Sequence, residues 1–479
     1  MSCLTLDRAR TKIIATVGPA CSTEEKLAEL VLAGADIFRL NMAHGTLGEH
    51  AEEIDVIRRV GKKLERPVAV LVDLSGPKIR LGNLVDGEVD CTEGALLKFV
   101  RGEVAREPNE LVSSYERLID ELAPGDRVML ADGTVSLHVE QRGPDFASVR
   151  VVQPGRVRNR QGINLPGVKL SVPAMTKGDC QHAVWAAEAG ADYVSLSFVR
   201  SAEDVHALQT MLRACGSQAK AIAKIEKPEA LEHLEDIVRA ADGVMIARGD
   251  LGVEIDIARM PLAQKRICEI CNRLGKPVIT ATQMLDSMQH SRHPTRAEAT
   301  DVANAILDGT DACMLSGETA IGDHPQIVVQ TMQRIARETE TLFRGRQLPP
   351  LPEEPVAGLH HVTPAVIYGA GHMAQQLGAK LVVVASHTGA TALAMSKLRC
   401  YVPTIGVSDS PATLRQMCLY WGVVPLAGVP THDPAEVLRH VEGWACETGW
   451  LAKGDSVVLI SGTTLSTFGH NLIMVGEIA

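Results

Sequence analysis

Ala221-Ile222-Ala223-Lys224-Ile225-Glu226-Lys227-Pro228 reads as a buried β-strand as far as Glu226, because small and β-branched apolar residues run on without a turn signal. Successive side chains of a strand face opposite ways, so Lys224 and Glu226 share one face and Ile225 takes the other. Opposite charges on one face of an apolar strand are expensive to bury unless something binds them. Pro228 ends the strand and leaves both charges near its carboxyl end. Two readings follow: a structural Lys–Glu pair bridging strand to helix, or part of a binding site.

The surrounding chain repeats the same strand–helix rhythm. Upstream, Lys12–Gly18, Ile37–Met42 and Val68–Leu74 have strand character. They are separated by helical spacing over Thr23–Ala33, with Gly34 as a stop, and over Glu49–Leu64. This βαβαβ order implies a parallel sheet with right-handed crossovers. Around the opening stretch, Tyr193–Val199, Gly243–Arg248, Pro277–Gln283 and Ala312–Gly317 are further strands. Lys177–Ala189, Ala202–Ala214, Glu229–Ala240, Pro261–Leu274, Arg296–Leu307 and Gln326–Thr341 have helical patterns beside them. Eight strands alternating with helices specify a (β/α)8 TIM barrel. A doubly wound open sheet is the alternative, but no G-x-G-x-x-G follows the first strand.

The rhythm breaks between Ser75 and about Leu170. Short strand-like pieces take its place, among them Arg127–Leu130, Thr134–Val139 and Ala147–Val152, with a hairpin signal at Asp132-Gly133. A structureless loop of that length is implausible inside a compact protein, so a small β-barrel or meander domain is inserted after the third strand. Gln347–Gly358, with Pro349, Pro350, Pro352 and Pro355, has a linker's composition. Beyond it Lys380–Ala385, Thr404–Val407, Val423–Leu426, Ser456–Ile460 and Asn471–Glu477 alternate with helical patterns. The expected division is 1–74 with 171–346 for the catalytic barrel, 75–170 for the inserted lid, and 347–479 for a C-terminal α/β regulatory domain.

Composition narrows the class. The 479 residues exceed one ordinary core, and 46% hydrophobic with 22% charged residues suits a soluble globular chain. A net charge of −10 argues against a general binder of nucleic acid or anionic membrane. Neither an apolar run in Met1–Lys12 nor a bilayer-length apolar stretch is present, so no secretory signal and no membrane span are expected. The 11 scattered cysteines suit a reducing cytoplasm, and Cys268-x-x-Cys271 reads as helix packing because no second pair completes a zinc site.

Barrel enzymes place their chemistry at the carboxyl ends of the strands. Here those ends carry Arg39 and Asn41, Asp73, Ser197, Lys224 and Glu226, Arg248-Gly249-Asp250, Thr280 and Thr282, and Ser316 with Glu318. So many polar strand ends make a poor core, which favours a site over a structural pair. Glu226 and Asp250 fall on neighbouring strands roughly 4.8 Å apart, so their carboxylates can converge on one hard cation, Mg2+ or Mn2+. Lys224 and Arg39 bring positive charge to the same mouth, as a transferring phosphoryl group requires. Gly249 can offer backbone N–H groups to an anion, and Thr280 and Thr282 share a face from which either hydroxyl reaches the site. No Walker loop is present. Two chemistries stay open: Lys224 stabilises a phosphoryl group, or it forms a Schiff base in a Mg-dependent carbon–carbon lyase acting on a pyruvate enolate.

Longer motifs add a resemblance. Phe38-Arg39-Leu40-Asn41-Met42-Ala43-His44-Gly45, Asp73-Leu74-Ser75-Gly76-Pro77-Lys78-Ile79-Arg80, Ala223-Lys224-Ile225-Glu226 and Ala247-Arg248-Gly249-Asp250-Leu251-Gly252 closely resemble pyruvate kinases. So do Ala281-Thr282-Gln283-Met284-Leu285 and Met314-Leu315-Ser316-Gly317-Glu318-Thr319-Ala320. The resemblance implies Mg2+-dependent phosphoryl transfer from phosphoenolpyruvate to ADP, giving pyruvate and ATP, in a cytoplasmic homotetramer. It implies that Glu226 and Asp250 hold the metal, and that Arg39 and Lys224 stabilise the phosphoryl group. Thr282 would lie near the enolate carbon, and Gly249, Asp250 and Thr282 would receive the substrate carboxylate, with Ser197 and Phe198 lining the pocket. Asn41, His44, Arg80 and Lys177 match nucleotide-associated positions, and the inserted domain matches the lid over ADP.

Two residues depart from the K+-dependent members: Ala43 stands where a Ser hydroxyl helps bind K+, and Lys78 where those members carry Glu. K+-independent activity is expected, Asn41, Asp73 and Leu74 being the monovalent-cation positions in question. Ser386-His387-Thr388-Gly389-Ala390-Thr391 follows a strand and opens a helix in the family's regulatory region. With Lys397 and Arg399 nearby in sequence and Ser461–Thr464 as a further wall, it is the expected site of a phosphorylated effector, a sugar phosphate or AMP. An ordinary Ser/Thr helix cap is the plainer reading of the same residues.

Overall fold

A computed structural model describes residues 8–168, 170–350, 358–462 and 470–478. Eight parallel strands close into a barrel: Lys12–Thr16, Ile37–Asn41, Ala69–Asp73, Tyr193–Leu196, Lys220–Ile225, Gly243–Ala247, Val278–Ala281 and Ala312–Leu315. Each pairs with the next in sequence, and the eighth returns to the first with Ile14 opposite Met314. Burial follows the two-residue period. Ile14, Ile37, Leu71, Tyr193, Ile222, Met245, Ile279 and Met314 fill the barrel interior. Ile13, Phe38, Val70, Val194, Ala223, Val244, Val278 and Cys313 pack outward against the helices. Both faces are buried, which is why these strands read as near-continuous apolar runs. Lys224 falls on the inward set, two residues beyond Ile222.

The strands stop one to three residues earlier than the sequence pattern suggests, and Ser197, Glu226, Arg248 and Thr282 are among the residues so released. Arg248, expected as a strand end, opens the helix Arg248–Glu254. The helix expected over Glu229–Ala240 is two pieces, Pro228–Glu232 and Leu234–Ala240, parted at His233. Thr280 lies on the outward face, its hydroxyl bonded to Thr310 at 3.0 Å, so it does not reach the barrel mouth as expected.

The insertion is all-β apart from short helical turns. A six-stranded sheet runs in the order Ile163–Asn164, Arg127–Leu130, Val135–Arg142, Phe146–Gln153, Leu96–Val100, Glu110–Leu111, and Glu88–Cys91 pairs separately with Gly155–Arg158. Arg80 bridges to Gly162 near one edge of the sheet, and Leu81 to Ser113 near the other. That short segment draws the sheet round on itself. Asp132 and Gly133 both have positive φ (52° and 87°), the backbone a tight Asp-Gly hairpin demands.

The C-terminal unit is a five-stranded sheet, Val423–Pro425, Thr404–Val407, Leu381–Ala385 and Ser456–Ser461 in parallel with Leu472–Glu477 antiparallel at the edge. It covers the amino end of the barrel. Lys12 Nζ donates to the Val423 carbonyl (2.6 Å), Tyr193 OH to the Gln416 carbonyl (2.5 Å), and Arg415 pairs with Asp192 (2.7 Å). The carboxyl ends of the strands are thereby left to the inserted domain. Among the described residues no helix is long and apolar enough to cross a membrane.

Candidate active site

Inward-facing residues at the carboxyl ends of the first five strands form one polar chain. Lys224 Nζ lies 2.9 Å from Glu226, 3.3 Å from Asp73 and 2.7 Å from the Ser197 hydroxyl. Asp73 in turn pairs with Arg39 at 2.6 Å and accepts from the Ser195 hydroxyl at 2.5 Å. Arg39 also donates to Thr16 Oγ1 at 3.2 Å, and Glu226 accepts the Phe198 N–H at 2.8 Å. Phe198 reaches that position through a left-handed backbone, φ 55°. Ser197 donates onward to the Leu74 carbonyl at 2.7 Å.

Burial sets the electrostatics. It pushes the Asp73 carboxyl up, but Lys224 and Arg39 more than reverse this and hold it at about 2. Burial would lower the Lys224 ammonium, yet Asp73 and Glu226 raise it above its ordinary value. Glu226 goes the other way: burial raises it, Lys224 pulls it back, and the nearby Asp250 charge pushes it up again, leaving it raised. Lys224 is thus a firmly held cation, and Glu226 is the carboxylate with unmet demand.

Asp250 approaches from the first turn of the helix Arg248–Glu254, not from a strand end as the sequence pattern suggests. Its Oδ1 lies 3.4 Å from Lys78 Nζ. The Gly249 N–H, expected to face an anion, donates here to Thr282 Oγ1 at 2.7 Å. A Cβ at Gly249 would sit 3.3 Å from that oxygen, so the position favours glycine. Strand alternation alone would turn Thr282 outward like Thr280. Positive φ at Thr282 (68°) and Gln283 (55°) swings it to Gly249 instead. Arg248 points behind the site, pairing with Asp301 at 2.7 Å and donating to the Thr282 carbonyl at 3.0 Å, so it braces the two loops.

Asn41 Oδ1 accepts the Ala43 N–H at 3.2 Å, and with Asp73 and the Leu74 carbonyl already engaged, all three monovalent-cation positions have protein partners. His44 is exposed beyond the second strand, its carbonyl accepting from His50. Arg80 belongs to the insertion and donates to the Arg160 carbonyl at 3.0 Å. Lys177 is exposed at the start of the helix Lys177–Glu188. None of these three bonds directly to the Lys224 chain among the described residues. Thr16 and Ser195 were not picked out from sequence. Ser195 had a signal, since it lies two residues before Ser197 on the same strand face.

The donor set suits a hard divalent cation: two carboxylates, Glu226 and Asp250, each close enough to feel the other's charge. Among the described residues no cluster of three His, Cys, Asp or Glu side chains forms.

Family models for the pyruvate kinase barrel domain and the pyruvate kinase alpha/beta domain match residues 8–329 and 364–475. The chain belongs to the pyruvate kinase family. A pyruvate kinase of Geobacillus stearothermophilus is 39% identical over 470 residues, 98% of this chain and 80% of the relative. One of Staphylococcus aureus (strain MRSA252) is 38% identical over 467 residues, 97% and 80%. The crystal structure of a pyruvate kinase from Cryptosporidium parvum superposes with a TM-score of 0.91 at 33% identity, covering 99% of this chain and 97% of that one. As a pyruvate kinase family member the chain is a phosphotransferase, and divalent-metal dependence is general to that family.

In the region that the pyruvate kinase alpha/beta model covers, the loop Ser386–Thr391 lies between the strand Leu381–Ala385 and the helix Ala390–Lys397. Gly389 has φ 80°, and its N–H is taken by Ser386 Oγ at 3.1 Å. His387 pairs with Asp409 at 2.6 Å, Thr388 Oγ1 accepts the Ala390 N–H at 3.4 Å, and Thr391 meets His470 Nδ1 at 2.8 Å. Lys397 and Arg399 are not beside this loop as expected. The helix carries them away to the underside of the barrel, where Asp311 binds them at 2.6 and 3.1 Å. Thr463 and Thr464 lie outside the described residues.

Proposed function

We propose that this chain transfers the phosphoryl group of phosphoenolpyruvate to ADP. The observation that supports it most is the placement of Lys224, held as a cation between Asp73 and Glu226 at the barrel mouth and linked through Asp73 to Arg39. Two fixed cations on inward strand positions suit a phosphoryl group whose charge spreads over its oxygens during transfer. The same placement disfavours Schiff-base chemistry, because an ammonium stabilised by two carboxylates has no free lone pair for a carbonyl.

Glu226 and Asp250 are the residues that would hold Mg2+, or Mn2+. When bound, the metal would supply charge neutralisation for substrate oxygens. Glu226 has to be ionised for that, so protons and the metal would compete for its carboxylate. The carboxylate of phosphoenolpyruvate would lie at the start of the helix Arg248–Glu254, by Gly249 and Asp250, with Thr282 turned toward it. From there the Thr282 hydroxyl can relay a proton to the enolate carbon. Ser197 holds Lys224 from one side, and Phe198 fixes Glu226 through its N–H. Asn41, His44, Arg80 and Lys177 are assigned to ADP, covered by the inserted domain of residues 75–170 acting as a lid that excludes water.

Lys78 stands 3.4 Å from Asp250, and the carboxylate of Asp73 is already neutralised by Arg39 and Lys224. Both points favour activity without K+. The loop Ser386–Thr391 is assigned to a phosphorylated effector. The oligomer is taken to be a homotetramer, on the family's behaviour. A cytoplasmic location fits the ten described cysteines, all free thiols.

The deciding experiment is a coupled assay for pyruvate with and without ADP, on wild type and Lys224→Met. Pyruvate should form from phosphoenolpyruvate only with ADP, and Lys224→Met should lose at least about a hundredfold in kcat. ADP-independent pyruvate release, or full turnover by Lys224→Met, would overturn the assignment.

A further inference from the structure

The inserted domain meets the barrel on the helix that carries Asp250. At its hairpin tip, a Cβ on Gly133 would lie 3.4 Å from the Val253 side chain. Beside it Asn164, at the end of the strand Ile163–Asn164, donates its side-chain amide to Glu254 Oε1 at 3.3 Å. That same oxygen takes Lys227 Nζ at 2.6 Å. The Glu254 side chain is 1% exposed, and its other oxygen is buried with no hydrogen-bond partner.

Each partner leads to the site. Lys227 directly follows Glu226, and its ammonium lies 5.8 Å from the ring centre of Phe198, whose N–H holds Glu226. Glu254 closes the helix whose first turn contains Gly249 and Asp250. One buried carboxylate therefore joins the insertion to both strand-end segments that bear the metal-binding candidates. A buried carboxylate satisfied on one oxygen only is costly and sensitive to the loss of a donor. The Asn164 contact is the contribution that departs if the insertion lifts.

We propose that Glu254 is a positioning residue, a latch that couples seating of the inserted domain to the placement of Glu226 and Asp250. The proposal rests on the phosphoryl-transfer reading and adds a residue that acts through others. With the insertion seated, Asn164 and Lys227 together hold Glu254, and the helix and the fifth strand end are locked in register. With it lifted, Glu254 keeps Lys227 alone. Coupling of this kind is reciprocal, so a ligand bound beneath the insertion tightens the site below and the converse.

Asn164→Asp tests it by placing a second carboxylate against Glu254 from the lid side. The expected result is a KM for ADP raised about tenfold with kcat reduced, within the span of ordinary coupling free energies. KM for phosphoenolpyruvate should rise as well, because Glu226 and Asp250 lose their register, and thermal unfolding should stay near wild type. Adding Glu254→Gln to Asn164→Asp removes the repulsion and should restore most of the loss. Asn164→Ala, which introduces no charge, should shift the same constants by a smaller factor. Small-angle scattering of ligand-free protein should show Asn164→Asp with a larger radius of gyration than wild type. Unchanged kinetics in both single variants, or a double variant no better than Asn164→Asp, would overturn the latch. A wild-type protein that makes no pyruvate would refute the phosphoryl-transfer reading alone. The scattering comparison would then still decide the latch, equal radii counting against it.

Discussion

Replacing Asp73 by Asn keeps the shape of the side chain and removes the charge on which Arg39 and Lys224 converge. The native carboxyl titrates at about 2, against about 3.9 for an unperturbed Asp. At about 1.4 kcal/mol per unit, that difference is on the order of 2–3 kcal/mol of folding stability. The Asp73 side chain is only 2% exposed, so solvent screens little of it. The sign follows from the depression. The contribution is complete above the unfolded pKa, near pH 4, and is lost as pH falls toward 2. In Asp73→Asn it should be missing already at pH 7. Two cations left facing a single carboxylate, Glu226, can make the loss larger, toward the roughly 3–5 kcal/mol seen when a buried pair is broken. Urea unfolding of the barrel from pH 7 down to pH 3 reads this directly. Wild type should be more stable at neutral pH, and the gap to Asp73→Asn should narrow below pH 4. Equal stability at pH 7, or a gap that does not change with pH, would refute the argument. Turnover should fall as well, by about a hundredfold or more, because Glu226 would then be the one carboxylate left against Lys224.

The other predictions concern separate parts of the chain. Varying K+ at saturating substrates and Mg2+ should change the rate less than about twofold, and a large activation would count against the role given to Lys78 beside Asp250. Glu226→Gln should weaken Mg2+ binding by at least about tenfold and remove the acid limb seen at subsaturating Mg2+, where in wild type protons compete with the metal for the raised Glu226 carboxyl. Thr391→Glu should abolish activation by sugar phosphate or AMP while leaving the unactivated rate near wild type; retained activation would remove the effector from that loop. Lys397→Met should lower stability by about 3–5 kcal/mol, since it leaves the fully buried Asp311 carboxylate with Arg399 as its charged partner.

The barrel was legible because its strands are short apolar runs between helices of regular spacing, and because closed parallel sheets bury both faces. That Lys224 and Glu226 share one face followed from strand alternation alone, and the structure shows that face to be the barrel interior. Alternation failed where the backbone leaves the sheet. It put Thr282 with Thr280, yet positive φ at Thr282 and Gln283 turns the first toward Gly249 and leaves the second outside with Thr310. The strand expected over Gly243–Arg248 ends at Ala247, and Arg248 and Asp250 belong to the helix that follows. Sequence distance misled in the C-terminal domain, where a helix of eight residues carries Lys397 away from the loop at its start to the barrel's underside. Asn164, Lys227 and Glu254 meet across two domains, and no local pattern signals such a contact.

The charge order across the barrel mouth clarifies what the Lys224–Glu226 pair is for. From the second strand to the fifth the charges alternate, Arg39, Asp73, Lys224, Glu226, and each neighbouring pair is in contact. Asp73 is the saturated member, with two cations and a hydroxyl, and its pKa is low. Glu226 has Lys224 and one backbone N–H, feels Asp250, and is raised. On the proposed function Glu226 and Asp250 would hold a divalent cation, which would supply positive charge to the one carboxylate that the protein leaves undercompensated. Lys224 has Asp73 and Ser197 as further partners, 3.3 and 2.7 Å away, and does not depend on Glu226 alone. The Lys–Glu pair is thus a salt bridge in the structure, and on the proposed function the same bridge holds Lys224 beside the carboxylate assigned to the metal.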